Sequence, residues 1–196
     1  MTDSAPAEAQ APDFDKLYAG SPDPWSVSSS WYEQRKLAIA MACLPRAHYP
    51  RAWEPGCGPG FVSRALASRA DWLVITDGSA AAVKLATDRC ADLSRVRVEL
   101  SALPAAPAGG PFDLVFVAEF LYYVPDLASA LDALWSAAAP GADLLFVHWA
   151  HHPHDAYRSG PDMHADIAAD ASLRGSRCVV AHVEADFLLD VYQATV

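Results

Sequence analysis

Apolar positions in this chain follow two rhythms that take turns along its length. Short apolar-rich runs at residues 51–54, 72–76, 96–100, 112–117 and 143–147 have the length of strands. Those at 72–76 and 112–117 are continuous enough to be covered on both faces. Between them lie helical patterns, from Phe61 to about Arg69, from Ala80 to Arg89, and from Asp126 to Ala139 with Pro140-Gly141 as the expected stop. A further helical segment is expected around 162–171. Ahead of the first strand, Ser30 and Glu33 have capping-box spacing and start a helix that runs to Leu44, where Pro45 ends it. At the far end, runs at 178–183 and 187–192 are three residues apart. That gap is too short for a crossover helix, so they must pair as an antiparallel hairpin. Residues 1–13, rich in Ala and Pro with no apolar period, read as a flexible tail, and 14–196 as one domain. The pattern predicts an α/β fold: a doubly wound, Rossmann-like sheet of seven strands, mostly parallel with the last antiparallel.

In such a sheet, ligands sit beyond the carboxyl ends of the strands. Five stretches fall at such ends: Glu54–Gly60, Asp77–Ser79, Ser101–Leu103, Glu119–Tyr123 and His148–His154. The first, Glu54-Pro55-Gly56-Cys57-Gly58-Pro59-Gly60, is a glycine loop between a strand and a helix, which lets a ligand approach the backbone and meet the helix N-terminus. A dinucleotide site requires G-x-G-x-x-G/A, with a tiny third residue for close packing. Here the third glycine comes one residue early and Phe61 follows, which disfavours a pyrophosphate. G-x-G-x-G behind an acid suits S-adenosylmethionine (SAM), whose polar groups are a carboxylate, an amine and a sulfonium. Asp77, 21 residues after Gly56, is placed to accept hydrogen bonds from both ribose hydroxyls. Its alternative role is to cap the next helix, which Ser79 could also do.

Composition narrows the partners. The chain has 196 residues, 53% hydrophobic and 19% charged, and no stretch approaches the ~20 uninterrupted apolar residues of a membrane span. A net charge of −10 without any Lys/Arg run argues against nucleic acid, whose phosphates must be neutralised, and favours a small neutral or cationic acceptor. The N-terminus lacks a secretory pattern. Cys43, Cys57, Cys90 and Cys178 have no CxxC spacing and read as reduced thiols of a cytoplasmic monomer or homodimer.

Glu54-x-Gly56-x-Gly58-x-Gly60, Asp77-x-Ser79, Phe112-Asp113-Leu114 and Pro140-Gly141 resemble the motifs of class I SAM-dependent methyltransferases. Asp23-Pro24-Trp25, Trp31-Tyr32-Glu33 with Arg35-Lys36, Glu119-x-Leu121-Tyr122-Tyr123, His148-Trp149 and 186–190 are similar to the NodS-like subgroup, over about residues 14–196. The resemblance implies SAM as cofactor and methylation of a free amine, on a deacetylated amino-sugar in nodulation-type members. It also implies cofactor contacts from Trp31, Arg35, Glu54, Gly56, Gly58, Asp77, Gly78, Ser79, Ala102, Leu103 and Glu119, with Arg35 meeting the SAM carboxylate. Three positions depart from the family pattern: Pro55, Gly78, and Ala102 where an acid often pairs with the adenine amine.

Methyl transfer is an in-line displacement that depends on alignment and exclusion of water. An amine must arrive deprotonated, so Glu119 is the first candidate for catalytic base or ammonium anchor, and His148 the second. The plainer readings are a carboxylate that caps the following turn and a packed histidine. Tyr122, Tyr123 and Trp149 would form a stacking platform for the acceptor. The histidines from 148 to 154 lack an HExxH or CxxC partner, and no metal site is expected. Two rival functions remain on this reading, a non-catalytic SAM-binding module and, less well supported, a nicotinamide oxidoreductase.

Overall fold

The computed structural model describes residues 11–195, and the first ten residues of the expected tail lie outside them. Seven strands form one sheet: β1 (Tyr49–Pro55), β2 (Ala70–Asp77), β3 (Val96–Leu100), β4 (Phe112–Ala118), β5 (Ala138–Trp149), β6 (Arg177–Val183) and β7 (Phe187–Gln193). Their order is β3-β2-β1-β4-β5-β7-β6, with β1 parallel to β2 and β4, and β7 antiparallel to both β5 and β6. The direction of winding reverses between β1 and β4, so a crevice opens where these two strands end.

Alternation along the strands sorts side chains onto two cores. Leu114 and Phe116 of β4, with Leu145 and Val147 of β5, pack with α2 (Trp31–Cys43), α3 (Phe61–Leu66) and α4 (Ala80–Arg89). Val115, Val117, Leu144 and Phe146 face the other way, toward α5 (Leu127–Ala137) and α6 (Gly160–Leu173). No described helix is long and apolar enough to cross a membrane.

Two local expectations need correction. Pro140-Gly141 does not stop a helix at Ala139. Helix α5 ends at Ala137, and both residues lie inside β5 at a register shift between Phe112↔Ala138 and Leu114↔Asp143. Pro140 has no N–H to donate and Gly141 takes φ 72°, so the pair forms a bulge within a strand. The second correction is an unforeseen helix, α1 (Phe14–Gly20), for which Asp13, assigned to the tail, is the N-cap: its side chain accepts from the Lys16 N–H.

Candidate functional site

A cavity of about 1170 Å³ fills the crevice at the carboxyl ends of β1, β2 and β4. Its floor is the glycine loop. Gly56, Gly58 and Gly60 all have positive φ, where a β-carbon is strained. A β-carbon on Gly56 would lie 2.5 Å from the Phe120 ring, and one on Gly58 2.9 Å from the Tyr18 hydroxyl. The glycines therefore serve both the turn and the close approach of aromatic side chains above it.

Asp77 ties this loop to the end of β2. One carboxylate oxygen accepts from the Gly58 N–H (2.9 Å) and the other from the Ser79 N–H (2.8 Å). Burial raises its pKa, opposed by those backbone donors. Ser79 caps α4 and also donates to Asp15 of α1, which in addition accepts from the Ala81 N–H. Helix α1 is thus fastened over the N-terminus of α4, and Phe14 and Tyr18 become cavity walls. Gly78 and Ala102 meet where the two neighbouring loops converge: a β-carbon on Gly78 would stand 3.1 Å from that of Ala102. These two departures from the family pattern are thus neighbours, and a side chain at Gly78 would crowd Ala102.

Across the crevice, Glu119 follows β4 with φ 60°, a left-handed conformation unusual for a residue with a β-carbon. Its carboxylate accepts from the Lys36 ammonium, the Tyr122 hydroxyl (2.7 Å) and the Trp149 N–H (2.9 Å). Lys36 also donates to Glu33 (3.0 Å). Burial alone would favour the neutral amine, but Glu119 and Glu33 outweigh it and hold the Lys36 pKa above its ordinary value. Lys36 is therefore a fixed cation in the wall, and Glu33 points to it rather than closing a capping box on the Ser30 N–H.

Of the residues expected at the site, Glu54, Gly56, Gly58, Asp77, Gly78 and Ser79 line the cavity, as do Ala102, Leu103, Glu119, Tyr122, Tyr123 and Trp149. Three do not. Trp31 is 74% exposed, and Arg35 is bidentate with Glu184 on the surface (2.6 and 2.8 Å). The reason is helix phase: Trp31 and Arg35, four apart, share the outer face of α2, whereas Tyr32 and Lys36 share the inner one. His148 is wholly buried on the far side of the sheet, because strand parity sends Val147 and Trp149 to the cavity and His148 to α6. There its Nδ1 meets His164 Nε2 (3.2 Å), and His164 Nδ1 meets Asp190 (2.6 Å). Tyr122 is 5% exposed, so its role is to bond Glu119 rather than to present a stacking face. The reading missed Lys36, and also Phe14, Asp15, Tyr18 and Phe120. The i, i+4 relation of Lys36 to Tyr32 and the Asp13-Phe14-x-x-Leu17-Tyr18 pattern were the available signals.

Burial, with His164 and Lys36 adding to it, holds the His148 pKa well below 6.5. The native state then refuses a proton that the unfolded chain accepts below about pH 6.5. Stability contributed by this group is present above that pH and lost as pH falls through it. In urea unfolding, the wild-type chain should lose stability relative to His148→Phe as pH is lowered from about 7 to 5. Parallel pH profiles would contradict the buried neutral histidine.

The glycine loop, the Asp77 clamp and the crevice at the switch point coincide with a match over residues 13–151 to the family model described as nodulation protein S (NodS). The chain belongs to the nodulation protein S family. Nodulation protein S of Bradyrhizobium diazoefficiens is 30% identical over 131 residues, which is 63% of this chain and 61% of that protein. The chain thus spans about three-fifths of the length of this curated NodS relative. Among solved structures, a candidate methyltransferase from Pseudomonas syringae is 38% identical (TM-score 0.73, 84% of this chain and 99% of that one). The N-methyltransferase NodS of Bradyrhizobium japonicum WM9, in complex with S-adenosylhomocysteine, shares the fold at 21% identity (TM-score 0.77, 92% and 96% covered).

Proposed function

We propose that the protein is a SAM-dependent N-methyltransferase acting on a small amine-bearing acceptor, such as a deacetylated amino-sugar or oligosaccharide, in the cytoplasm. The observation that carries the amine is the charge of the cavity. Asp13, Asp15, Asp23, Glu33, Asp77, Glu119 and Asp155 line it, and among the described lining residues Lys36 is the only Lys or Arg. A cleft of one sign concentrates ligands of the other, so a cationic amine is favoured over a carboxylate acceptor. NodS family membership supports the same choice.

The residues present fit SAM. The Asp77 carboxylate has lone pairs left after its two backbone bonds to accept ribose hydroxyls. The charged Lys36 would suit the methionyl carboxylate, Ala102 and Leu103 would flank the adenine, and acids at Glu54 and Glu119 would suit cationic groups. When bound, SAM supplies an electrophilic methyl group on a sulfonium.

The protein's own task is then alignment. With three donors already on its carboxylate, Glu119 is an anchor for the acceptor nitrogen rather than a mobile base, so the bound ammonium gives its proton to solvent before its lone pair attacks the methyl group. Phe14, Tyr18, Phe120 and Tyr123 form an apolar cover that limits water around the reacting atoms. The assay is methyl transfer from labelled SAM to a panel of glucosamine oligomers, simple amines and carboxylates. Label on the amines alone supports the reading, and label on carboxylates alone refutes it. Glu119→Gln, which keeps the shape and removes the charge, should lower turnover by about tenfold or more while leaving affinity for S-adenosylhomocysteine within a few-fold. Unchanged turnover would remove Glu119 from acceptor binding.

A further inference from the structure

Glu54 is a buried acid without a counter-ion. It stands one residue before the end of β1, is 1% exposed, and lines the cavity beside the glycine loop. Its Oε2 is buried with no hydrogen-bond partner. The groups around it are acidic or neutral: Asp77 from β2, Cys57 from the loop, Ser63 from α3 and Cys90 from α4. Burial raises both thiols further, so they carry no charge at neutral pH. The nearby cations are engaged elsewhere. Arg64 is bidentate with Asp92, Arg89 donates to the Pro59 carbonyl over the Phe61 ring, and Lys36 lies between Glu33 and Glu119.

An ionised carboxylate in such a place is costly, and the group holds its proton instead. Burial, opposed by the Ser63 hydroxyl and reinforced by Asp77, pushes Glu54 up to about 8. A ligand that brings an ammonium into the cavity reverses that balance, since a nearby positive charge favours the carboxylate.

We propose that Glu54 is a neutral carboxylic acid in the ligand-free site and ionises when the cationic amino-acid end of the cofactor is bound, so that cofactor uptake releases a proton to solvent. This rests on the SAM-binding reading above. The balance is simple: the Glu54 O–H bond breaks, its proton leaves to buffer, and the carboxylate pairs with the ligand's ammonium. Affinity for the cofactor therefore rises with pH until Glu54 is already ionised in the free protein.

The test is calorimetry of S-adenosylhomocysteine binding in buffers of different ionisation enthalpy. Near pH 7 the wild-type chain should release close to one proton per ligand bound, and the release should fall as pH rises past 8. Glu54→Gln should abolish the release. The adenosyl fragment 5′-methylthioadenosine, which lacks the amino-acid end, should bind to wild type with little release. Failure of S-adenosylhomocysteine to bind would overturn the cofactor reading and this inference together. Binding without proton release, or equal release by Glu54→Gln, would overturn this inference alone. An independent readout needs no ligand. The folded-state pKa of Glu54 is raised, so its contribution to stability is present below the unfolded value and lost as pH rises toward 8. Glu54→Gln should therefore gain stability relative to wild type between pH 5 and 8, and parallel profiles would contradict the proposal.

Discussion

Replacing Asp77 by Ala is expected to weaken binding of S-adenosylhomocysteine by about 100-fold or more, measured by calorimetry. The magnitude follows from the number of bonds that depend on this carboxylate. It accepts from the Gly58 and Ser79 N–H groups, which fixes the glycine loop against the end of β2, and it is placed to accept from the ribose. Hydrogen bonds to a charged group contribute about 1.5–3 kcal/mol each, and 1.4 kcal/mol is tenfold in affinity. Losing two ribose bonds alone therefore removes about two orders of magnitude, before any loosening of the loop. Asp77→Asn separates the two contributions, because the amide oxygen still accepts one backbone bond while its nitrogen repels the other donor. An intermediate loss is expected for Asn. Affinity unchanged in both variants would mean that the ribose sits elsewhere.

The second large effect is expected for Lys36→Met, and it has two parts. Lys36 is 5% exposed and holds Glu33 and Glu119 together in the cavity wall. Removing one member of a buried ion pair costs about 3–5 kcal/mol, and the partial opening of Glu33 and Glu119 to the cavity lowers this to about 2–3 kcal/mol. Burial already raises the Glu33 pKa against the opposing effect of Lys36, so without that cation Glu33 takes up a proton more readily and the loss should shrink as pH falls from 8 to 5. Chemical unfolding across that range measures it. The same substitution should weaken S-adenosylhomocysteine while sparing 5′-methylthioadenosine, which lacks the carboxylate Lys36 is proposed to meet. A variant as stable as wild type at pH 8 would show that the triad is only a surface ion pair, of the kind that contributes about 0–1 kcal/mol.

The sheet was legible in the sequence because its signals are redundant. The apolar runs at 72–76 and 112–117 lie within β2 and β4, although Trp72 itself is exposed, Ala80–Arg89 is α4 to the residue, and the short gap before Phe187 required the β6–β7 hairpin. The crevice was legible for the same reason, since strand ends locate it without any side-chain detail. What failed was angular. A shift of one residue moves a strand side chain to the opposite face, and His148 was assigned to the cavity when Val147 and Trp149 point there. On α2 the same uncertainty placed Trp31 and Arg35 inward beside Tyr32 and passed over Lys36, because the helix carries little apolar contrast to fix its phase. Helix α1 was hidden by its shortness: seven residues with no fully buried side chain, held by Asp13 and Asp15 rather than by an apolar stripe. Pro140-Gly141 misled because the pair ends helices more often than it bulges a strand.

The central claim is that the glycine loop and the end of β2 together receive the adenosyl and methionyl parts of one ligand. A crystal structure of the chain with S-adenosylhomocysteine tests it most directly. The account predicts ribose hydroxyls within hydrogen-bond distance of Asp77, the amino-acid end over Gly56–Gly58, and the ligand carboxylate toward Lys36. A ligand seated outside this cavity, or a ribose turned away from Asp77, would contradict it.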